Sequence, residues 1–387
     1  MVDKKKNKQL GYTKGYEAGF ASGVRLGQCE AVVHKALQDR PPRRFWDVRV
    51  LYVPSGKGFP YEPLDHAIIN SLRPLVRELI IGNGENALIK FGDQEAGLEK
   101  LAAIHSPDLM IVLDGMNLSL KIVDRIRKKG IRTAIWLTDD PYYTDFTVSM
   151  VPHYDFIFTL EMNCLSLYKE LGCPQVHYLP LAFQPEIFRP KAVPIRQKRD
   201  ISFVGSAYWN RVAMFDQLAP YLANKHILIS GIWWERLKNY GMLAPQIQLN
   251  TWLGPEETAN VYNGAKLVIN MHRSYDDAAH NRNSRKIQGA SPNPRTFEIS
   301  GCGVLQITDF REDLVRFYTP DYDIVTYSSA EELLDKLDYY LQNEEERTQI
   351  ALRGLYRTMR DHTYENRLSQ MLDIVVSGIN DSKSARK

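Results

Sequence analysis

Residues 293–308 read NPRTFEISGCGVLQIT, which predicts a short helix followed directly by a strand. Asn293 suits the N-cap, Pro294 the first helical position and Gly301 the C-terminal stop. The run VLQIT that follows is apolar and β-branched, as in a buried strand. Because a helix leading straight into such a strand is the repeating unit of a parallel sheet with crossover helices, this stretch predicts an α/β protein.

The same alternation extends along the chain on both sides of this unit. The predicted strands fall into two groups, separated by residues 181–199, whose proline-rich and basic sequence is typical of an interdomain linker. In the first group they are Val48 to Val53, Glu78 to Ile81, Leu109 to Leu113, Ile131 to Leu137, Phe156 to Thr159 and Val176 to Leu179. In the second group they are Ile201 to Val204, His226 to Ile229, Leu267 to Met271, Val304 to Thr308 and Ile324 to Thr326.

A chain of 387 residues has room for two such domains. We predict two Rossmann-like, doubly wound domains, at 45–185 and 186–362. A glycine-periodic helical extension is expected at 1–44. A C-terminal helix with a polar tail is expected at 363–387, because apolar residues recur there at helical spacing before the sequence turns polar.

The extension contains the segment 11–30, GYTKGYEAGFASGVRLGQCE, with glycine at every fourth position. In a helix, five interior glycines cost about 4 to 5 kcal/mol relative to alanine, so a compensating contact is expected. Glycines four residues apart form a ridge without side chains, which a second helix could approach closely. We hypothesise a homodimer formed through this helix. The alternatives are a helix docked on its own domain and a flexible tail.

Composition narrows the range of functions. Apolar residues at 44% and charged residues at 25% argue against a disordered or fibrous chain. A net charge of only +3, with scattered basic residues, argues against nucleic acid as the partner. The four cysteines lack metal-ligand or paired spacing, which favours a reducing cytoplasm. No run of about 18 apolar residues occurs, so we expect no membrane partner.

Ligands of parallel sheets bind beyond the carboxyl ends of the strands, so residues that follow strands are the candidates for a site. Such positions hold two acids in the first half of the chain. In the second half they hold one glycine and several basic residues. They are Asp139, Asp140, Gly205, Arg211, His272 and Arg273. Where two such sheet edges face each other they form a cleft between domains, and we expect the ligand there.

The helix that begins at Asn293 adds further candidates. Its N-terminal N–H groups favour an anion, and Arg295 places a positive charge beside them. Glu298 lies further along, where a carboxylate could accept hydrogen bonds from both hydroxyls of a ribose. An isolated helical glutamate is more often a solvated residue, so the interpretation of Glu298 depends on the surrounding pattern.

That pattern resembles a known family. The core R-x-F-E-x-x-x-C-G of residues 295–303 and the preceding LGPEETANVYNGAKLVINMHR of residues 253–273 resemble the C-terminal domain of the CgeB-like spore maturation proteins. These are similar to glycosyltransferase group 1. The segment IWLTDDP of residues 135–141 is similar to the N-terminal signature of that family. The resemblance covers residues 48–376 and leaves the glycine-rich extension outside.

The resemblance implies a GT-B fold, with a sugar nucleotide on the C-terminal domain, the acceptor on the N-terminal domain and a last helix that crosses back to the first lobe. Glu298 then matches the second acid of a motif of two glutamates separated by seven residues, the acid that holds the donor ribose. The first acid is absent, because its position is Ala290. This departure puts in doubt the retaining mechanism of relatives that carry the complete motif.

The expected function is metal-independent glycosyl transfer from a nucleotide sugar, taken to be a UDP-sugar, to an unidentified protein or glycan, without a cofactor. Asp139 and Asp140 are the candidate catalytic bases, with helix capping as the alternative. The candidate donor-binding residues are Gly205, Arg211, His272, Arg273, Asn293, Arg295 and Glu298. We expect a cytoplasmic, spore-associated protein. The alternatives are an inert GT-B-fold nucleotide-binding protein of a spore surface layer or phage-related assembly, and a sugar-nucleotide epimerase.

Two further features have open interpretations. Residues 273–292 form a long polar segment, in which Arg282, Arg285 and Lys286 would either close over the diphosphate or lie on a surface loop. Trp233 and Trp234 would either stack on a base or sugar or pack between the domains.

Overall fold

The computed structural model of the protein describes residues 2–58, 61–82 and 91–384, with side chains left out for a few helical segments near the gaps and the termini. Within these residues, twelve strands form two six-stranded sheets, and every pair of neighbouring strands is parallel. We call the first sheet with its helices the N-terminal lobe and the second sheet with its helices the C-terminal lobe.

The first sheet has the strand order β2-β1-β3-β4-β5-β6. Its strands are β1 Trp46–Val53, β2 Val76–Ile81, β3 Leu109–Leu113, β4 Arg132–Leu137, β5 Phe156–Thr159 and β6 Val176–Tyr178. The helices up to this point are α1 Val2–Gln38, α2 Glu62–Leu72, α3 Phe91–His105, α4 Leu120–Lys128, α5 Thr144–Met150 and α6 Cys164–Glu170. The order reverses between β1 and β3, and ligands of doubly wound sheets bind at such a switch point.

The second sheet has the strand order β12-β11-β10-β7-β8-β9 and switches between β7 and β10. Its strands are β7 Arg199–Val204, β8 Ile227–Gly231, β9 Ile247–Leu249, β10 Ala265–Asn270, β11 Leu305–Asp309 and β12 Val325–Tyr327. The remaining helices are α7 Trp209–Leu222, α8 Tyr240–Leu243, α9 Pro255–Gly264, α10 Pro294–Gly301, α11 Ala330–Gln342, α12 Glu344–Asp361 and α13 Tyr364–Ser384. The predicted α/β fold with two doubly wound sheets is confirmed.

Eleven strands lie where the sequence places them, within a few residues at their ends, and β9 is the strand that the prediction missed. The buried residues explain why the pattern is informative, since successive residues of a strand face opposite sides of the sheet. Val50 and Tyr52 pack into the core on one side of the first sheet, whereas Leu51 and Val53 pack into the core on the other. Both faces are therefore covered, as parallel sheets require.

The two terminal helices each pack on the lobe that is farther from them in sequence. Cys29 and Ala36 of α1 are buried in the C-terminal lobe, where α1 lies along α12. Arg25 anchors the same helix by donating to the carbonyl oxygen of Gly303 at 3.2 Å. Gly303 has φ +66, and a Cβ there would lie 2.9 Å from the Cys29 sulfur, so a side chain would push α1 away.

The last helix, α13, packs on the N-terminal lobe. Its apolar face, which includes Leu368 and Met371, is buried in the core of the first sheet. The segment that leads into α13 runs beside the linker between the lobes, where Phe183 forms a bridge with Thr363. The helix continues to Ser384, so the polar tail expected after it is helical through that residue. No helix in the described ranges has both the length and the apolar composition that a bilayer span requires.

Candidate functional site

A cavity of about 460 Å³ lies between the two lobes, at the carboxyl edges of both sheets. The switch point of the C-terminal lobe faces it, and on the opposite side the residues that follow β4 and β5 line it. All nine residues that the sequence proposes for the site line this cavity: Asp139, Asp140, Gly205, Arg211, His272, Arg273, Asn293, Arg295 and Glu298. The structure therefore brings together in one place side chains that the sequence spreads over 160 positions, from 139 to 298.

At the switch point of the C-terminal lobe, two glycines let the chain pack tightly. Gly205 follows β7 and Gly231 ends β8. A Cβ on Gly231, whose φ is +150, would lie 2.2 Å from the carbonyl oxygen of Gly205, which no side chain can satisfy. A Cβ on Gly205 would lie 2.8 Å from Nη1 of Arg295 and 3.0 Å from Nη1 of Arg211. The bare backbone at Gly205 thus gives the two guanidinium groups room to approach the cavity.

Three arginines line the cavity, and none of them is paired with a carboxylate among the described residues. Arg211 is buried and donates to the carbonyl oxygens of Met271, at 2.6 and 3.1 Å, and of Ser206, at 2.9 Å. Arg295 donates to the carbonyl oxygen of Val204 at 3.2 Å. Burial lowers the pKa of Arg211 to about 9, so it remains charged at neutral pH. These are positive charges held by neutral partners, which is the arrangement of an anion site.

The third arginine, Arg273, connects the lobes. Its guanidinium lies 4.0 Å from the ring centre of Tyr142 in the N-terminal lobe and 4.8 Å from that of Tyr208 in the C-terminal lobe. Its Nη1 also donates to the Tyr208 hydroxyl at 3.2 Å, and Nη2 donates to Asn281. The two rings hold the guanidinium flat at the edge of the cavity through cation–π contacts.

Glu298, on α10, faces the cavity. Its carboxylate makes no hydrogen bond and no ion pair with the described residues, although Arg295 is close enough to act on it electrostatically. Burial raises the pKa of Glu298 to about 7, and the positive charge of Arg295 opposes this rise. A half-buried carboxylate whose oxygens are both available is what a pair of ligand hydroxyls requires.

His272 and Asn293 hold the start of α10. Asn293 caps the helix, since its side chain accepts from the N–H of Thr296 at 3.1 Å. The N–H of Asn293 donates to Nε2 of His272 at 2.8 Å, and Nδ1 of His272 donates to Asp309 at 2.6 Å. Burial lowers the pKa of His272 to about 4, so the ring is neutral. His272 therefore orients the helix start, and the Asn293 N–H expected to favour an anion is already bonded.

The two candidate bases differ in their surroundings. Asp140 is buried, and its carboxylate accepts from the hydroxyls of Thr159 at 2.6 Å and Tyr168 at 2.8 Å. Burial raises the pKa of Asp140 to about 7. Asp139 is less buried and accepts from the Tyr61 hydroxyl at 2.9 Å, with the ammonium of Lys57 at 3.5 Å. Asp139 is thus the carboxylate with the greater access to a ligand.

Glu161 is a site residue that the sequence analysis missed. It follows β5 in the N-terminal lobe, and its carboxylate accepts from the N–H groups of Ala290 at 3.1 Å and Ser291 at 3.2 Å in the C-terminal lobe. Burial raises its pKa, and these N–H groups counteract the rise. The signal that could have found it is the one used for Asp139, an acid just beyond a strand. A carboxylate from the opposite lobe thus binds the backbone of Ala290, where the motif lacks its acid.

The polar segment 273–292 braces the two lobes. Arg282 exchanges backbone hydrogen bonds with the first lobe, donating to the Tyr142 carbonyl at 2.7 Å and accepting from the Asp145 N–H at 2.9 Å. The Ser284 hydroxyl also donates to the Asp145 carboxylate at 2.6 Å. The side chains of Arg282, Arg285 and Lys286 are exposed and do not line the cavity. In this arrangement the segment does not place them over a diphosphate.

The adjacent tryptophans also lie outside the cavity. Trp234 is fully buried and donates to the Gly205 carbonyl at 2.9 Å, and Trp233 packs against His280. The tryptophan that does line the cavity is Trp252, which lies just after the missed strand β9 and is 51% exposed. An aromatic platform is therefore present, at a different position from the one proposed.

Comparisons with known protein sequences show what the chain resembles. Residues 211–373 match the family model described as Glycosyl transferase-like. The chain is 28% identical over 319 residues to Spore protein CgeB of Bacillus subtilis (strain 168), an alignment that covers 82% of this chain and 96% of that protein. The predicted resemblance to CgeB-like proteins is confirmed.

Solved structures share the architecture. Sucrose-phosphate synthase from Thermosynechococcus elongatus is 10% identical with a TM-score of 0.59, covering 86% of this chain and all of that one. A glycosyltransferase from Rickettsia africae ESF-5 is 11% identical with a TM-score of 0.58, covering 85% and 98%. Anabaena Alr3699/HepE, solved with UDP and glucose, is 9% identical with a TM-score of 0.58, covering 85% and 100%. At these identities the likeness shows the fold alone, and the predicted GT-B fold is confirmed.

Proposed function

We propose that this chain, which is glycosyltransferase-like in sequence and GT-B in fold, transfers a sugar from a nucleotide-sugar donor to an acceptor hydroxyl without a metal ion. The observation that carries the proposal is a group of three arginines gathered with Glu298 at one interlobe cavity, none of which has a carboxylate partner among the described residues. A nucleoside diphosphate sugar presents two phosphates and a ribose, and these match the cations and the carboxylate respectively.

In the proposed complex, Glu298 accepts hydrogen bonds from the two ribose hydroxyls. Arg211, Arg273 and Arg295 hold the diphosphate. The base lies towards Trp252, on whose ring it stacks. We take the donor to be a UDP-sugar, supported by the presence of UDP in the solved Anabaena protein of the same fold.

Transfer breaks the bond between the anomeric carbon and the phosphate oxygen, and the electron pair leaves with the diphosphate. Fixed cations that already surround that oxygen stabilise the added charge, because they need no reorganisation during the reaction. Asp139 takes the proton of the acceptor hydroxyl as the oxygen attacks the anomeric carbon. The Tyr61 hydroxyl and the Lys57 ammonium hold Asp139 in place for this step.

A second candidate function, an inert nucleotide-binding protein of a spore surface layer or phage-related assembly, is favoured by one observation. Ala290 stands where motif-bearing relatives have an acid, and its N–H is bonded to Glu161. The name of the curated relative, a spore protein, supports a spore-associated role under either function. The acceptor under the first function is then a protein or glycan of the spore surface.

One experiment separates these functions. The protein is incubated with sugar nucleotides of uridine, guanosine, adenosine, cytidine and thymidine, and both thermal shift and donor breakdown are measured. A transferase should show a thermal shift with the sugar nucleotides of one base, and it should slowly transfer the sugar of that donor to water. Saturable binding with an unchanged donor would indicate the inert protein, and an isomerised donor an epimerase.

The variant Glu298→Gln and its matched control Glu345→Gln sharpen this experiment. Glu345 is exposed on α12 and does not line the cavity. The thermal shift produced by the preferred nucleotide should fall in Glu298→Gln and be unchanged in Glu345→Gln. An equal shift in both variants would remove Glu298 from the donor site and, with it, the basis of the proposed function.

We also propose that α1 forms a homodimer through its glycine ridge. Gly15, Gly19, Gly23 and Gly27 have no atom of the described chain within 4 Å of where a Cβ would stand. The neighbouring Tyr16 and Phe20 are 67% and 65% exposed. The described part of one chain therefore does not make the close contact that should compensate for these glycines, and a second copy of the helix is the partner that the ridge fits.

A further inference from the structure

The two walls of the cavity carry opposite charge. The wall from the C-terminal lobe contributes three arginines and one glutamate. The wall from the N-terminal lobe contributes three acids, Asp139, Asp140 and Glu161, and no lysine or arginine among the residues that the structure describes there. Most of the remaining lining on this side is aromatic or apolar and includes Tyr61, Pro63, Leu64, Ala67, Leu160 and Leu181.

The cation closest to this wall is already used. The ammonium of Lys57 lies 2.9 Å from the Asp114 carboxylate and 3.5 Å from that of Asp139. Asp114 is buried directly after β3, at the switch point of the N-terminal lobe, and its carboxylate also accepts from the Thr138 hydroxyl at 3.1 Å. One ammonium shared by two carboxylates leaves this group with a net negative charge, and Lys57 itself does not line the cavity.

The acids of this wall are held in place by hydrogen bonds, so an anionic ligand that enters the cavity cannot displace them. Asp140 is held by two hydroxyls, and Glu161 is held by backbone N–H groups of both lobes. These donors are uncharged, and Arg311, which acts electrostatically on Glu161, is itself paired with Asp309 at 3.1 Å. Above pH 7, where Asp140 is ionised, an anion placed beside these acids would face like charges in a partly buried site, where such repulsion is strong.

We propose that the acceptor group entering this cavity is an uncharged sugar or an amino sugar, and that phosphorylated and carboxylated acceptors are rejected. This inference rests on the proposed function. The donor diphosphate matches the positive wall, which leaves the negative wall for the acceptor. The apolar side chains beside Tyr61 suit the C–H face of a sugar ring, and the carboxylates suit its hydroxyl or ammonium groups.

The test uses matched acceptors that differ in one group: methyl glucoside, its 6-phosphate, its 6-carboxylate and its 6-amino derivative, with parallel series of other hexoses. Breakdown of the donor in water is measured first. If the protein does not break down the donor, that result contradicts the proposed function rather than this inference. Transfer is then followed with saturating labelled donor. We expect kcat/KM for neutral and amino members to exceed that for phosphorylated members about a hundredfold.

A second measurement covers sugars that bind without being glycosylated. A compound that occupies the acceptor site displaces the attacking water, so each member is also tested as an inhibitor of donor breakdown at saturating donor. Neutral and amino members should inhibit at about a hundredfold lower concentration than their phosphates. Equal or better use of the phosphorylated members, or equal inhibition by them, would overturn the inference while leaving glycosyl transfer standing.

The variant Leu64→Arg adds a cation to the negative wall, and Leu64→Met is its control of similar volume. In Leu64→Arg, the discrimination against the 6-phosphate should shrink about tenfold, with no change in Leu64→Met. The ratio of the two kcat/KM values cancels any change in donor breakdown, so an unaltered ratio in Leu64→Arg would show that the charge of this wall does not select the acceptor.

Discussion

The two walls of the interlobe cavity handle charge in different ways. In the N-terminal lobe each acid has partners: Asp139 has Tyr61 and Lys57, and Asp140 has Thr159 and Tyr168. In the C-terminal lobe the guanidinium groups of Arg211 and Arg295 contact only neutral carbonyls, and Glu298 has no hydrogen bond within the described residues. The charges of the C-terminal wall are therefore available to pair with a charged ligand, whereas the acids of the N-terminal wall are held in fixed orientations by their own donors.

The largest effect is expected where the two acids of the N-terminal wall are compared. Asp139→Asn should lower kcat for sugar transfer about 10² to 10⁴-fold, because the amide cannot accept the acceptor proton. Asp140→Asn should act mainly on folding, with a loss of about 1 kcal/mol from its buried hydrogen bonds. Acceptor-dependent kinetics and urea unfolding of both variants check this, and full activity of Asp139→Asn would remove it as the base.

The next effect tests the uncompensated arginines. Arg295→Ala should lower the rate of donor breakdown about 10² to 10³-fold, because one fixed cation at the leaving diphosphate is lost. Arg285→Ala is the control, since Arg285 is an exposed cation of the segment 273–292 that does not line the cavity. Its activity should stay within about twofold of the wild type. Equal losses in both variants would mean that overall positive potential, rather than the fixed position of Arg295, stabilises the diphosphate.

A smaller effect concerns the protonation of Glu298. Its raised pKa of about 7 means that the free carboxyl is protonated below neutral pH and ionised above it. Nucleotide affinity, measured by calorimetry, should therefore fall about tenfold per pH unit below 7. The variant Glu298→Gln should bind about ten- to hundredfold more weakly at pH 8 and lose this pH dependence. Asp140, with its pKa also about 7, is present in both proteins, so the difference between the profiles isolates Glu298.

The smallest effect on activity is expected far from the cavity, at the glycine ridge of α1. Gly19→Leu combined with Gly23→Leu should shift the protein from dimer to monomer in light scattering, because the side chains keep the second helix at a distance. Donor breakdown should stay within about twofold of the wild type. The variant Val24→Lys places a charge beside the ridge and tests whether the apolar side chains next to the glycines contribute to the dimer. A monomeric wild type at micromolar concentration would contradict the dimer itself.

The sequence predicted the strands well where they are apolar and β-branched, as in β3 and β10, because such runs are buried on both faces. It missed β9, Ile247–Leu249, because three residues at a sheet edge carry no periodicity. Trp252, which follows that strand, was missed with it.

The site was predicted as a set of positions, and its internal roles were not. Asp139 and Asp140 follow the same strand, and only burial separates them. The contact of Glu161 with Ala290 joins residues 129 positions apart, so it depends on how the lobes meet. The same applies to His272, whose ring nitrogen is occupied by the N–H of Asn293. Spacing along the chain shows where side chains gather but not which partners they have.

The exchange of terminal helices between the lobes also determines what a single cut in the chain would do. Cleavage between residues 185 and 197 would leave α13 in the core of the N-terminal lobe, so the two fragments should still elute together. The N-terminal lobe produced without residues 364–375 would lack part of its own core and should aggregate. Each lobe therefore needs a helix from the opposite end of the chain to complete its core, although each has its own sheet.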